Sequence, residues 1–150
     1  MNRWPVTVEL PVQWGDMDSF GHVNNVSYLR WFESARIAYF ERAGVLERMA
    51  TDRVGPILAR QTIDYRLPLE YPDTIRVAGT TIKLGKTSFT MGLRMRSRAH
   101  GRAIAAEGES IMVMMDYRTG RKMELWEELR RRIEELEASA PETASQETDA

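Results

Sequence analysis

The stretch from Trp14 to Asn25 concentrates side chains that could do chemistry. Within twelve residues it contains two carboxylates, one histidine and two asparagines: Asp16, Asp18, His22, Asn24 and Asn25. A carboxylate can act on a carbonyl carbon as a general base or as a nucleophile. A pattern of helical spacing follows at once, and the unpaired N–H groups of a helix N-terminus favour negative charge. The stretch therefore predicts a carboxylate acting beside a helix end, where the N–H groups of Asn24 and Asn25 would stabilise an oxyanion.

The same residue types also have an ordinary structural interpretation. Asp, Ser and Gly before a helix are common turn and capping residues, and spacing alone does not separate the two interpretations. His22 follows Asp18 by four residues, a spacing that fixes no distance in a loop. It could orient Asp18, bind substrate or hydrogen-bond to the backbone. His100 is the other histidine of the chain, so a histidine-rich metal site is not expected.

Composition is typical of an ordinary globular domain. The 150 residues are 43% hydrophobic and 29% charged, with a net charge of −1, which fits one domain. No run approaches the roughly 18 apolar residues of a membrane span, and no secretory pattern is visible at the N-terminus. The chain has no cysteine, which excludes disulfides and a thiol nucleophile. We expect a cytoplasmic protein that binds neither membrane nor nucleic acid and needs no cofactor or metal.

The elements that must position these residues suggest an α+β domain. Residues 26–43 follow helical spacing and are apolar over more than half of the circumference, so this helix should be covered on most sides. Gly44 is expected to end it. Strand patterns without intervening helices lie at 4–14, 57–67, 74–84, 89–98 and 102–117. They indicate an antiparallel sheet of about five strands curled around the helix, whose open edges favour pairing between copies of the chain.

The C-terminal part has a different character. Apolar residues at helical spacing predict an amphipathic helix over 124–137. Residues 138–150 are rich in Ala, Ser, Thr, Glu and Gln, which predicts a disordered acidic tail after a domain of residues 1–137. Within the domain, the apolar phase of the strand at 74–84 slips near Gly79, which indicates a bulge there.

Residues 15–36 carry a resemblance to a known family. They read Gly-Asp-Met-Asp-Ser-Phe-Gly-His-Val-Asn-Asn-Val-Ser-Tyr-Leu-Arg-Trp-Phe-Glu-Ser-Ala-Arg. This string resembles the signature of hotdog-fold thioesterases, most closely the 4-hydroxybenzoyl-CoA thioesterase branch of acyl-CoA thioesterases, and its first half also resembles acyl-ACP thioesterases. The resemblance implies a curved sheet around a central helix, a homodimer or homotetramer, and active sites between two protomers. It also implies hydrolysis of an acyl thioester.

Residue roles follow from the resemblance position by position. Asp18 matches the family's catalytic carboxylate, which leaves Asp16 as loop structure. Asn25 matches the helix N-terminal position whose backbone N–H polarises the thioester carbonyl. His22 matches a histidine of the acyl-ACP branch. That branch has an asparagine where this chain has Phe20, so Asp18 is expected to be the principal catalytic group.

Substrate contacts are expected further along the chain. Lys86 and Ser88 lie where the hydroxybenzoyl enzyme contacts the CoA nucleotide. The segment of Gly55, Pro56 and Ile57 is expected to line the acyl pocket together with helix residues. The sequence leaves open whether Asp18 attacks the carbonyl or activates water. It also leaves open an acyl-ACP thioesterase and a non-catalytic acyl-thioester-binding protein, with an enoyl-CoA hydratase as a less favoured alternative.

Overall fold

The computed structural model describes residues 4–140 as three helices and one antiparallel sheet of seven strands. The helices are α1 (Asn25–Arg42), α2 (Val45–Asp52) and α3 (Glu127–Ser139). The strands are β1 (Val6–Pro11), β2 (Val54–Gln61), β3 (Asp64–Tyr65), β4 (Thr74–Leu84), β5 (Ser88–Ser97), β6 (Ala103–Asp116) and β7 (Arg121–Lys122). The order of the five long strands is β1-β4-β5-β6-β2, and the two short strands pair with β6.

Helix α1 lies against one face of the sheet and forms the centre of the core. Phe32, Ala35 and Tyr39 have no solvent exposure. The N-terminal half of α1 packs on β4, β5 and β6, whereas its C-terminal half packs also on α3. One stripe of α1, including Glu33 and Ile37, is exposed in the single chain. The prediction that the helix is buried on most sides therefore applies to the rest of its circumference. No helix among the described residues is long and apolar enough to cross a membrane.

The ends of α1 follow from its flanking residues. Asn24 precedes the helix with extended backbone, and its Oδ1 accepts a hydrogen bond from Val26 N at 2.9 Å. This is the N-cap arrangement that satisfies one of the unpaired N–H groups of the first turn. At the other end Gly44 adopts a φ of +76°, a left-handed conformation that glycine adopts without steric cost. The predicted end of the helix is therefore confirmed.

Several elements differ in detail from the sequence prediction, among them β1, which spans Val6–Pro11 rather than residues 4–14. The strand predicted at 57–67 begins earlier and divides into β2 and β3, with a register shift between Leu58 and Arg60. The irregularity of β4 lies between Thr81 and Lys83 rather than at Gly79. Helix α3 extends to Ser139, two residues beyond its predicted end at residue 137. The remainder of the predicted tail, 141–150, lies outside the described residues.

Gly108 marks a close approach between β6 and the segment that follows β2. A Cβ at this position would lie 2.0 Å from the backbone oxygen of Thr62 and 3.1 Å from the ring of Phe32. Because the Thr62 oxygen belongs to backbone, it cannot move aside as a flexible side chain would. We expect Gly108→Ala to lower the free energy of unfolding by about 1–3 kcal/mol, the usual cost of overpacking, measured by urea denaturation.

Gly15→Ala provides the matched control for this substitution. No atom lies within 4 Å of a Cβ at Gly15, and its φ is not in the left-handed region. We expect a change below about 0.5 kcal/mol, as for other surface substitutions. A Gly108→Ala variant as stable as the wild type would contradict the close approach.

Candidate active site

A tight hairpin before α1 carries Asp18 and His22. Met17 and Val23 pair across it as an isolated antiparallel bridge. Asp18 N donates to His22 O at 3.0 Å, and Gly21 N donates back to Asp18 O at 3.0 Å. Gly21 has a φ of +80°, which suits glycine in a turn. The hairpin therefore places Asp18 directly opposite His22, although sequence spacing alone fixed no distance between them.

The Asp18 carboxylate is held at one oxygen and free at the other. Oδ1 accepts a hydrogen bond from Phe20 N at 2.9 Å, the local turn that aspartate often forms with the backbone two residues on. Among residues 4–140, nothing donates a hydrogen bond to Oδ2, and the side chain is exposed. The turn thus orients the carboxylate and leaves one oxygen available to take a proton or to attack a carbon.

Asp16 has a structural role. Its Oδ2 accepts a hydrogen bond from Gln13 N at 2.8 Å and thereby closes the short 3₁₀ turn that follows β1. The Asp16 backbone oxygen accepts a hydrogen bond from Asn24 N at 2.9 Å. Both contacts fasten the end of β1 to the start of α1. The capping interpretation of the loop thus holds for Asp16.

One backbone donor remains available at the start of α1. Asn24 N donates to Asp16 O, so the prediction that it would stabilise an oxyanion is wrong. Val26 N is occupied by the Asn24 side chain. Within the described part of the chain, Asn25 N makes no hydrogen bond, and it stands at the positive end of the helix dipole. Asn25 N is thus the donor that this terminus can offer to a ligand oxygen.

A cleft of about 310 Å³ opens beside this helix end. Its lining combines a few polar groups with an apolar wall: His22, Val23, Asn25, Tyr28, Tyr65, Arg66, Leu67 and Pro68. Such a lining is typical of small-molecule sites. Asp18 itself does not line the cleft in the single chain, although the hairpin joins it to His22, which does.

Tyr28 holds the far wall of the cleft against α1. Its hydroxyl donates to Leu67 O at 2.8 Å, and its ring meets Tyr65 edge-on with the centroids 5.1 Å apart. Burial raises the pKa of Tyr28 to about 12, so the hydroxyl stays protonated and continues to donate near neutral pH. Sequence reasoning assigned no site role to Tyr28 or Tyr65. An aromatic residue one turn into the helix was the available signal, but it is equally typical of core packing.

His22 lies at the mouth of the cleft and faces Glu70. Its Nε2 is 3.3 Å from Glu70 Oε1, and the two side chains are 48% and 65% exposed. A polar contact this exposed contributes little to stability. Among the described residues, the His22 side chain makes no direct contact with the Asp18 carboxylate. It does line the cleft, where it could contact a substrate.

The expected substrate contacts lie at the other end of the sheet. Ile57 and Ser88 both pair with Val113 of β6, whereas Tyr65 of the cleft wall pairs with Ala106. At about 3.3 Å per strand residue, the two rows are separated by roughly 23 Å. The expected site residues of one chain thus form two groups, one at each end of the sheet.

The second group is open to solvent at Lys86, where a charged ligand could approach, whereas Gly55 is buried. Lys86 is 79% exposed and its Nζ is 3.3 Å from Glu124 Oε1, an arrangement that leaves most of the ammonium in water. Pro56 O accepts a hydrogen bond from the Tyr117 hydroxyl at 2.9 Å, which ties the start of β2 to the turn after β6. Residues 4–140 contain no group of three or more His, Cys, Asp or Glu side chains that could hold a metal ion.

The chain was compared with the sequence profiles of known protein families. Residues 12–133 match the sequence profile of the thioesterase-like superfamily. The match runs from the end of β1 to α3 and includes the hairpin, the central helix and both groups of site residues. The chain belongs to the thioesterase-like superfamily. The predicted family and the predicted enzyme class, a thioester hydrolase, are thereby confirmed.

Individual relatives agree with this placement. The long-chain acyl-CoA thioesterase FadM of Escherichia coli is 23% identical over 85% of this chain and 96% of its own length. A shorter match, 28% identical, spans 55% of the length of the Bacillus subtilis protein YsmA. Among solved structures, a Thermus thermophilus thioesterase complexed with coenzyme A and Zn is 33% identical, with a TM-score of 0.80 over 92% of this chain and 98% of that one.

A second solved structure supports the same fold. The Pseudomonas aeruginosa protein PA2801, described as a putative thioesterase, is 30% identical and superposes with a TM-score of 0.76 over 85% of this chain and 97% of its own. Together with the curled antiparallel sheet around α1, these similarities confirm the predicted hotdog fold. They do not test the roles of individual residues.

Proposed function

We propose that this protein is an acyl-CoA thioesterase that hydrolyses an acyl thioester to a free acid and CoA. The proposal depends on two neighbouring groups. The Asp18 carboxylate has one oxygen that accepts no hydrogen bond, and the hairpin that carries Asp18 leads to Asn25, whose N–H is unpaired. A base or nucleophile and an oxyanion donor are the two components that acyl transfer requires. Here they lie on consecutive pieces of backbone, so one short segment positions both.

The chemistry uses these groups in a simple order. The thioester carbonyl oxygen accepts a hydrogen bond from Asn25 N, and the helix dipole favours the negative charge that develops on that oxygen. Either Asp18 Oδ2 takes a proton from a water that attacks the carbonyl carbon, or Oδ2 attacks the carbon itself. In both routes the carbon–sulfur bond breaks and the thiolate leaves. In the first route the free acid forms directly, and the proton held by Asp18 is released with the products. In the second route a water hydrolyses the mixed anhydride on Asp18, which releases the free acid and restores the carboxylate. A thiolate is a better leaving group than an alkoxide, so a strong general acid is not required.

The choice of CoA as the carrier rests on two similar proteins and on one feature of this chain. The FadM relative is an acyl-CoA thioesterase, and the Thermus thermophilus structure contains coenzyme A. In addition, the exposed ammonium of Lys86 lies beside Ser88 on the β4–β5 hairpin, where both could contact the nucleotide phosphates. Gly55, Pro56 and Ile57 would border the acyl group.

A homodimer or homotetramer would unite the two groups of site residues. The strand β2 is an edge of the sheet, with unpaired backbone groups available to another chain. Antiparallel pairing of two β2 strands about a two-fold axis would bring one chain's Gly55–Ile57 end toward the partner's hairpin end. We therefore propose that each active site lies between two protomers. Light scattering after size exclusion should give at least twice the mass of the chain.

A thiol-release assay tests the proposed function directly. We expect turnover with at least one member of a panel of short, long and aromatic acyl-CoA thioesters. Matched acyl-ACP thioesters provide the comparison. A higher kcat/KM with the ACP thioesters than with the CoA thioesters would show that ACP, rather than CoA, is the preferred carrier. Saturable binding of acyl-CoA without release of thiol across the whole panel would instead support a non-catalytic acyl-thioester-binding protein.

A further inference from the structure

Arg36 is a buried charge that makes no ion pair among residues 4–140. Its side chain projects from α1 and the residue is 6% exposed. Nη1 donates to Gln61 Oε1 at 2.8 Å and to Ser110 Oγ at 3.3 Å. No carboxylate within residues 4–140 forms an ion pair with it. Burial lowers its pKa, and the charge of Glu33, three residues earlier on α1, partly offsets that effect. Buried arginines are normally paired because an uncompensated charge is costly to desolvate.

Folding stability alone does not account for this residue. Gln61 Oε1 also accepts a hydrogen bond from Ser110 Oγ at 2.5 Å, while Gln61 Nε2 donates to the backbone oxygens of Thr62 and Glu109. If Arg36 were replaced by an apolar side chain, both polar partners would therefore keep a hydrogen bond. Substitution of a buried charge by an apolar residue of similar length is often neutral or stabilising under such conditions.

The position of Gln61 indicates what the contact does. Gln61 is the last residue of β2, and four residues later the chain forms the wall of the cleft from Tyr65 to Pro68. The backbone of this segment is bonded to β6 through Thr62 N and Arg66 N. Its hydrogen bonds to α1 are of a different kind, since they come from two helix side chains.

Two side-chain attachments join the wall to α1. Among the described residues, the α1 side chains that hydrogen-bond to the segment 61–67 are Tyr28, which donates to Leu67 O, and Arg36, which donates to the Gln61 side chain. The two helix residues are about 12 Å apart along the axis at 1.5 Å per residue. Because the β3 pairing and the bonds of Arg66 N and Leu67 N to Ala105 O hold the wall to β6, the two side-chain attachments determine how the wall is placed relative to α1.

We propose that Arg36 is a positioning residue that sets the wall of the cleft at Tyr65–Pro68 against the N-terminus of α1. It acts through Gln61 and touches no reacting atom. The proposal rests on the proposed function, because that function gives the cleft its substrate. A wall that contacts the substrate equally in the ground state and the transition state affects KM and leaves kcat unchanged.

Arg36→Met is the variant that tests this role. It retains the length of the side chain and removes its charge and donors. We expect KM for the best acyl-CoA substrate to rise about tenfold with kcat within about twofold, the pattern for lost uniform binding. We expect the melting temperature to be unchanged or higher. Backbone amides of residues 65–67 should exchange with deuterium faster than in the wild type.

Tyr39→Phe is the matched control, at another buried polar site of α1. Tyr39 is fully buried, and its hydroxyl donates to Glu137 Oε1 at 2.6 Å, away from the cleft. This variant should lower the melting temperature and leave KM unchanged, the reverse of Arg36→Met. A fall in melting temperature for Arg36→Met, failure of that variant to fold, or an unchanged KM overturns the positioning role. If the wild type hydrolyses no thioester, the proposed function fails, and the exchange of residues 65–67 alone decides the role of Arg36.

Discussion

Asp18→Asn is expected to lower kcat for thioester hydrolysis by about 10²–10⁴-fold, the contribution of a positioned general base, or by more if Asp18 is the nucleophile. An asparagine can still accept the hydrogen bond from Phe20 N through its Oδ1, so the turn should persist. The amide group neither takes up a proton near neutral pH nor attacks a carbonyl carbon. Thiol release at saturating acyl-CoA measures the effect.

Asp16→Asn provides the control for Asp18→Asn in the same loop. The Asp16 carboxylate accepts a hydrogen bond from Gln13 N, which an asparagine oxygen can also accept. We expect kcat to stay within a few-fold of the wild-type value. Wild-type turnover by Asp18→Asn would reject Asp18 as the catalytic carboxylate. Equal losses in both variants would show that the loop conformation, rather than one carboxylate, controls the rate.

Asn25→Pro is expected to lower kcat by about 10²–10³-fold, the usual effect of removing one oxyanion donor. Proline lacks the N–H that we propose as that donor, yet it is well tolerated at the first position of a helix. The preceding residue, Asn24, has φ −63° and ψ 141°, a conformation that is favoured before proline. The helix should therefore form normally, and circular dichroism with thermal melting verifies this.

Asn25→Ala separates the backbone group from the side chain. Alanine keeps the N–H and removes the amide side chain, which makes no hydrogen bond among the described residues. We expect kcat near the wild-type value for Asn25→Ala and the large loss only for Asn25→Pro. A large loss in Asn25→Ala would transfer the role to the side chain. An active Asn25→Pro enzyme would remove this helix end from the mechanism.

The sequence by itself determined the elements and the half of the site that is local. Helical spacing over 26–43 and alternation in the strands follow directly from periods of 3.6 and 2 residues, so α1 and the antiparallel sheet could be predicted. Asp18, His22 and Asn25 lie within eight residues of one another, so their place beside the start of the helix could be predicted, whereas the hairpin that sets Asp18 opposite His22 could not. The role of Gly44 could be predicted because it is also local.

Only the tertiary structure decided how distant segments meet. The hydrogen bond from Asn24 N to Asp16 O depends on the path of the loop, and it removes one of the two donors expected for an oxyanion. The wall at Tyr65 and the buried contact from Arg36 to Gln61 join segments that are 25 or more residues apart. Such contacts depend on strand register and on which face of each strand points inward. A shift of one residue in the register would turn the inward-facing side chains of that strand to the opposite face of the sheet. The same register separates the two groups of site residues by the length of the sheet.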